Sequence, residues 1–308
     1  METSGSSPVW LDPQVNGYAG VDFNTLGCTD AEIRRACQAL RRDGVRAILA
    51  TIITDEIPRM ETKLRRLAEC RNADPLVAEV IAGFHVEGPF LNPDDTFRGA
   101  HPKAAIRLAD AEAAERLLEA GEGLVRLFTL APERDPGLRT TRFITNRGVS
   151  VSAGHTDASL DELKAALDAG LTHFTHLGNG CPLVMPRHDN IIQRALSLAD
   201  RLMIGFIADG VHIPLHALGN YLQITGPDHA YITTDAMAGA GLGPGTFTLG
   251  GLTVDVGEDG AAWAPNRAHL VGSAVTLRKS IENLRTLPDI TEADIHRMTV
   301  TNVSGLFA

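Results

Sequence analysis

Residues 76–101 read LVAEVIAGFHVEGPFLNPDDTFRGAH. An apolar run over 76–86 stops at a carboxylate, Glu87. Gly88 and Pro89 follow at once, and a histidine, His101, comes back soon after. The run is short and rich in Val and Ile, which suits a strand buried on both faces, as in a parallel sheet covered by helices. A carboxylate placed there either finishes a turn or faces a functional mouth, and the pattern on both sides bears on which.

The same rhythm extends outward. Short apolar, β-branched runs over 9–15, 47–53, 124–131, 149–153, 172–177, 203–208 and 230–234 predict strands. Helical spacing fills the gaps over 30–43, 59–72, 110–121 and 160–169. Thr29 is placed to cap the first of these and Gly170 to end the last. Eight strands alternating with helices predict a parallel α/β sheet, and the chain length suits a closed (β/α)₈ TIM barrel. A doubly wound open sheet is the alternative, but no G-x-G-x-x-G follows the first strand. Residues 246–273 break the rhythm with short β-like pieces and Gly turns, which predicts a β-hairpin excursion. Helices follow over 274–285 and 292–300. Without a low-complexity linker, residues 1–308 read as a single domain.

Lys and Arg number 28 against 38 Asp and Glu, a net charge of −10. That balance argues against a nucleic-acid or membrane-surface partner, which needs a basic patch. The four cysteines show no CxxC spacing, and the opening METSGSSPVW has neither a basic start nor an apolar stretch. Both features lead us to expect a cytoplasmic protein with reduced thiols.

In a barrel of this kind the C-terminal strand ends form the active face. Gln14 and Asn16 end the first strand, His85 and Glu87 the third, and His155 the fifth. His176 ends the sixth, Asp209 and His212 the seventh, and Asp235 the eighth. Glu87, His155 and His176 would project into one mouth. Two imidazoles with one carboxylate make an open zinc set that leaves a position for water. A divalent ion brings the pKa of such a water to about 7, and Asp235 could carry its proton to a leaving group. The chemistry implied is metal-assisted hydrolysis of an amide or related bond. Gln14 supports a neighbouring ligand or contacts the water directly. Asn16 reads as turning the chain at Gly17, Asp209 as a turn residue, and His173 as structural.

HVEGPFLNP with GAHP, SAGHTDAS, THLGNG, IADGVHIP, TTDAMAGAG with FTLGG, and LVGSAVTL occur in that order. Together they resemble the motifs of N-acetylglucosamine-6-phosphate deacetylases, members of the amidohydrolase superfamily of metal-dependent (β/α)₈ hydrolases. DPQVNGYAGVDFN resembles the family's opening strand. The resemblance implies that Glu87, His155 and His176 bind one divalent metal ion, Zn²⁺ first, with Fe²⁺ or another divalent ion as alternatives. It implies that Asp235 is the general base and then the acid, and that His101 polarises the acetyl carbonyl or stabilises the oxyanion. Asn179, Gly180 and His212 would contact an amino-sugar substrate carrying a phosphate. Arg187 would reach that phosphate from a neighbouring subunit, which implies a homodimer.

Two departures stand out. Where the family commonly reads T-H-L-[FY]-N-A-M, this chain has Thr175-His176-Leu177-Gly178-Asn179-Gly180-Cys181, and Gly178 in place of an aromatic would loosen the pocket. Arg187-His188-Asp189 stands where Arg-Glu-Pro is usual. The resemblance also implies a small β-sandwich built from segments flanking the barrel, and we expect most of it to be lacking here, reduced to the 246–273 excursion. Other readings are an amidohydrolase acting on an unphosphorylated N-acyl or cyclic amide, and a non-catalytic relative that binds a sugar phosphate.

Overall fold

The computed structural model describes residues 9–267 and 269–308. The eight expected strands form one parallel sheet in sequential order. They are β1 Trp10–Val15, β2 Val45–Ile53, β3 Ile81–Glu87, β4 Val125–Leu130, β5 Ser150–Ala153, β6 Leu171–Phe174, β7 Met203–Ile207 and β8 Ala230–Thr233. The sheet closes through the parallel bridge between Val15 and Ala236, just beyond β8. The strands are buried along almost their whole length, so helices must cover them. The architecture is the (β/α)₈ barrel that the strand rhythm predicts.

The seam between β1 and β8 is tied by a side chain. The buried Asp12 carboxylate accepts from Thr233 Oγ1 at 2.6 Å, Thr234 Oγ1 at 2.6 Å and Thr234 N at 3.2 Å. Burial, only partly countered by these donors, pushes its carboxyl up to about 6.

Several boundaries differ from the sequence reading. The apolar run over 76–86 is not one strand: Pro75–Val80 is helical and only Ile81–Glu87 is extended. Asp74 accepts from Leu76 N and Val77 N, and Pro75 stands in the first turn, so a capped helix start wins over the β-branched composition. The strand within 172–177 stops at Phe174, because His176 adopts a left-handed backbone. The helix within 274–285 begins at Leu277, where Thr276 caps it. The helix within 292–300 is α-helical over Glu292–His296 and continues as a π turn over Arg297–Thr301. Helices Arg139–Asn146, Ile191–Leu196 and Leu215–Thr225 complete the outer ring.

The excursion is a three-stranded antiparallel sheet rather than a single hairpin: β9 Gly245–Leu249, β10 Leu252–Val256 and β11 Ala262–Trp263. Leu249, Val254, Val256 and Ala262 pack with Ile53 at the end of β2 and with Met237 after β8. The excursion therefore sits over the C-terminal mouth of the barrel. Among the described residues no helix is long and apolar enough to cross a membrane.

Candidate metal centre

Glu87 ends β3 with its side chain buried. His155 follows β5 and His176 follows β6, and both take a left-handed backbone, φ 51° and 35°. Asp235, after β8, does the same at φ 51°. A side chain in this region is strained by about 1 kcal/mol or more, and such strain gathers where the surroundings fix a functional geometry. In each case the turn re-aims the residue into the mouth just as the strand ends.

One ligand atom from each of Glu87, His155 and His176 lies within 4.8 Å of the others. Glu87 Oε1 is 2.9 Å from His176 Nε2 and 3.5 Å from His155 Nε2. Two ligands each about 2.0–2.1 Å from a tetrahedral ion stand about 3.3 Å apart, so this spacing fits a small divalent cation. The ring orientations fit too. His155 Nδ1 donates to Phe97 O at 2.7 Å, which turns Nε2 toward Glu87 as the ring's ligand atom. Burial alone would raise the Glu87 carboxyl, but hydrogen bonds from His155 and His176 outweigh it and hold Glu87 well below the usual carboxylate range. Burial likewise opposes charge on His176, while the bond to Glu87 raises its proton affinity. The proton held between them is one a cation would displace. The group is compatible with a single divalent metal ion.

Glycines make room for this arrangement. A Cβ on Gly180 would stand 2.6 Å from His155 Nδ1, and one on Gly99 would stand 3.3 Å from its Cε1. Gly180, expected to contact substrate, thus also backs a ligand ring.

Asp235 is held by two amides from β1 and its end. Asn16 Nδ2 donates to Oδ1 at 2.7 Å and Gln14 Nε2 donates to it at 3.0 Å. Gln14 Nε2 also lies 3.0 Å from Glu87 Oε1. Burial, together with the Glu87 charge, pushes Asp235 up to about 6. Asn16 is therefore more than the chain-turning residue that its place before Gly17 suggests. Its partner is far away in sequence, so no local signal could have found the contact.

His101 returns on the loop after β3, and its ring meets His155 edge-on with 4.4 Å between centroids. Its Nδ1 lies 2.8 Å from Thr54 Oγ1 and 3.4 Å from Thr54 N. A backbone N–H can only donate, so Nδ1 accepts and the neutral ring carries its proton on Nε2. Nε2 faces Glu87, with Oε2 at 3.8 Å. Burial, reinforced by His155, holds His101 well below its ordinary value, so it is a neutral donor. Thr54 is another residue that no sequence motif marks.

Asn179 lines the same cavity as Glu87, His101, His155 and Asp235. His212 Nδ1 donates to Asp209 Oδ2 at 2.6 Å, and its Nε2 is buried with no partner among the described residues. Asp209 also accepts from Val211 N and His212 N, so it is both a turn residue and the holder of an imidazole. Arg187 is exposed on the loop after β6, outside the buried group. Gly178 has φ 94°, and Ile213 lies 3.3 Å from where its Cβ would be. Ile213 thus stands beside Gly178.

A (β/α)₈ barrel with a carboxylate, two imidazoles and a buried aspartate at its C-terminal mouth defines a metal-dependent hydrolase of the amidohydrolase class. No family model matches the chain. It is 30% identical over 306 residues to the N-acetylglucosamine-6-phosphate deacetylase of Bacillus subtilis (strain 168), covering 97% of this chain and 75% of that one. It is 32% identical over 279 residues to the N-acetylgalactosamine-6-phosphate deacetylase of Shewanella sp. (strain ANA-3), covering 90% and 68%. A variant of the N-acetyl-D-glucosamine-6-phosphate deacetylase of Mycobacterium smegmatis, solved in complex with N-acetyl-D-glucosamine-6-phosphate, superposes with a TM-score of 0.87. That match is 31% identical and covers 97% of this chain and 77% of that one. The chain belongs to the N-acetylglucosamine-6-phosphate deacetylase family, and it is an amide-hydrolysing enzyme.

Proposed function

We propose that the chain removes the acetyl group from an N-acetyl amino sugar 6-phosphate, giving the free amine and acetate. The observation that carries this reading is the Gln14 amide, which joins the Asp235 carboxylate to Glu87 of the ligand group. It sets a proton acceptor beside the place where water would be activated. Glu87, His155 and His176 would hold one divalent ion, Zn²⁺ by the chemistry of the set, and that ion supplies an acidified water and a polarised carbonyl.

The protein's own residues do the rest. Asp235 accepts the proton of the attacking water. As the C–N bond breaks, it returns that proton to the departing nitrogen, so the products are an amine and a carboxylic acid. His101 donates from Nε2 to the carbonyl oxygen as negative charge builds there. Gln14 and Asn16 keep Asp235 aimed. Asn179, Gly180 and His212 would contact the sugar. Arg187, exposed on the β6 loop, would serve the phosphate of a partner's substrate in a homodimer. The net charge of −10 weighs against a nucleic-acid partner. Packing of Ile53 and Met237 with the β9–β11 residues supports one domain, a barrel with an excursion.

Acetate release by the metal-loaded chain tests the reading. N-acetylglucosamine and N-acetylgalactosamine, each with and without the 6-phosphate, form the panel. The phosphorylated sugars are expected to react at least tenfold faster in kcat/KM. Release from none of the four would contradict the reading.

A further inference from the structure

The cavity beside the ligand group has two kinds of lining residue: polar ones, among them Asn16, His101, Asn179 and Asp235, and apolar ones, Ile53, Ala100, Leu249 and Leu270. Ile53 and Leu249 are 5% and 2% exposed, and Ala100 packs against the cluster that contains both.

We propose that Ile53, Ala100 and Leu249 form the seat of the acyl methyl group and set an upper limit on acyl length. The proposal rests on the hydrolytic reading above. With the carbonyl oxygen taking its hydrogen bond from His101 Nε2, the methyl carbon is constrained. It shares the carbonyl carbon with that oxygen, so the two atoms are only about 2.4 Å apart by ordinary bond lengths. The methyl group therefore lies within reach of the cavity residues around His101, and Ile53, Ala100 and Leu249 are apolar ones among them. Ala100 precedes His101 in the chain, and Ile53 precedes Thr54, whose hydroxyl holds the His101 ring at 2.8 Å. Leu249 closes the space from the excursion.

Ile53 and the turn that carries Leu249 are both held by one short segment after β1. Asn24 Oδ1 accepts from Ile53 N at 2.9 Å, and Asn24 Nδ2 donates to Thr51 O at 2.9 Å. Two residues earlier, the buried Asp22 carboxylate accepts from Asn24 N at 2.8 Å and from Gly250 N at 2.9 Å. Gly250, at φ 58°, lies close against Ile53: a Cβ there would be 3.2 Å from Ile53 Cδ1. The turn that seats Leu249 and the strand end that presents Ile53 are thus tied to each other and to the same segment. Walls held in this way cannot spread to take extra methylenes, because close-packed interiors resist added volume.

The test compares N-acetyl, N-propionyl and N-butyryl glucosamine 6-phosphate. One added methylene in a closed apolar site changes kcat/KM by about tenfold or more, so the wild-type chain should lose at least tenfold between acetyl and butyryl. Leu249→Ala should narrow that ratio at least tenfold, and the milder Leu249→Val should narrow it in part if the alanine variant folds poorly. Leu252→Ala, on the exposed face of the same hairpin, should leave it unchanged. Calorimetric Kd values for the acetyl and butyryl sugars on the metal-loaded Asp235→Asn chain give a readout free of turnover. A ratio of tenfold or more, reduced when Leu249→Val is added, is expected. Equal binding of the two sugars, or a ratio that ignores Leu249, overturns the seat. Absence of acetate release by the wild-type chain would instead overturn the hydrolytic reading, while the Kd ratio still reports on the pocket.

Discussion

The side-chain amide of Gln14 donates to Oδ1 of Asp235 at 3.0 Å, and the same nitrogen lies 3.0 Å from Oε1 of Glu87. One neutral donor therefore separates two buried carboxylates that would otherwise repel each other. Gln14→Ala removes it. Partners that orient metal ligands typically contribute 10–100-fold to affinity or activity, so a loss of about that size is expected in metal affinity or kcat/KM. The acid limb of the pH profile should also move to higher pH, because Asp235 loses a donor to its charged form. Unchanged affinity, rate and limb would remove Gln14 from the site.

Asp235 must be ionised to accept a proton. Burial, with the Glu87 charge, raises it to about 6, and a bound cation favours the carboxylate and lowers it from there. The value of kcat/KM should therefore be flat above about pH 6 and fall tenfold per pH unit below an apparent pKa no higher than that. Asp235→Asn should retain metal, lose the limb, and lose roughly 10²- to 10⁴-fold in rate. An acid limb centred above pH 7 would contradict the assignment, as would near-normal turnover by the variant.

Gly180 has a left-handed backbone, and a Cβ there would stand 2.6 Å from His155 Nδ1. That nitrogen is also the donor to Phe97 O. Gly180→Ala should push the ring off its carbonyl and weaken divalent-ion binding about tenfold or more, with little change in far-ultraviolet circular dichroism. Unaltered metal affinity by calorimetry would show that the ring has room to spare.

Asp12 holds the seam where β1 meets β8. Asp12→Ala leaves the Thr233 and Thr234 donors buried without their acceptor, at a cost of about 3 kcal/mol. Urea denaturation at pH 7.5 should show a lower midpoint with little change in slope. A shift worth under about 0.5 kcal/mol would mean that the seam is closed by other contacts.

Much of the barrel is legible because fully buried parallel strands read as short β-branched runs, and because polar residues follow them where the mouth begins. Glu87, His155 and His176 are legible for the same reason, and the structure brings their ligand atoms together. The Pro75–Val80 helix was hidden because a short apolar run carries no period that separates helix from strand. Arg139–Asn146, with threonines and a phenylalanine in its core turn, has little helical propensity to signal it. The contacts that aim the site are hidden for another reason. Asn16 meets Asp235 and Thr54 meets His101 only through the fold, across 219 and 47 positions of sequence. The left-handed turns at His155, His176 and Asp235 are likewise invisible, since none of these residue types demands that backbone.

Calorimetric titration of Zn²⁺ into the chelated chain tests the central claim most directly. One ion per chain is expected, with binding lost when His176 is changed to alanine, because Glu87 and His155 alone cannot complete the set. Absence of binding by the wild-type chain, or an undiminished isotherm for His176→Ala, would contradict the account.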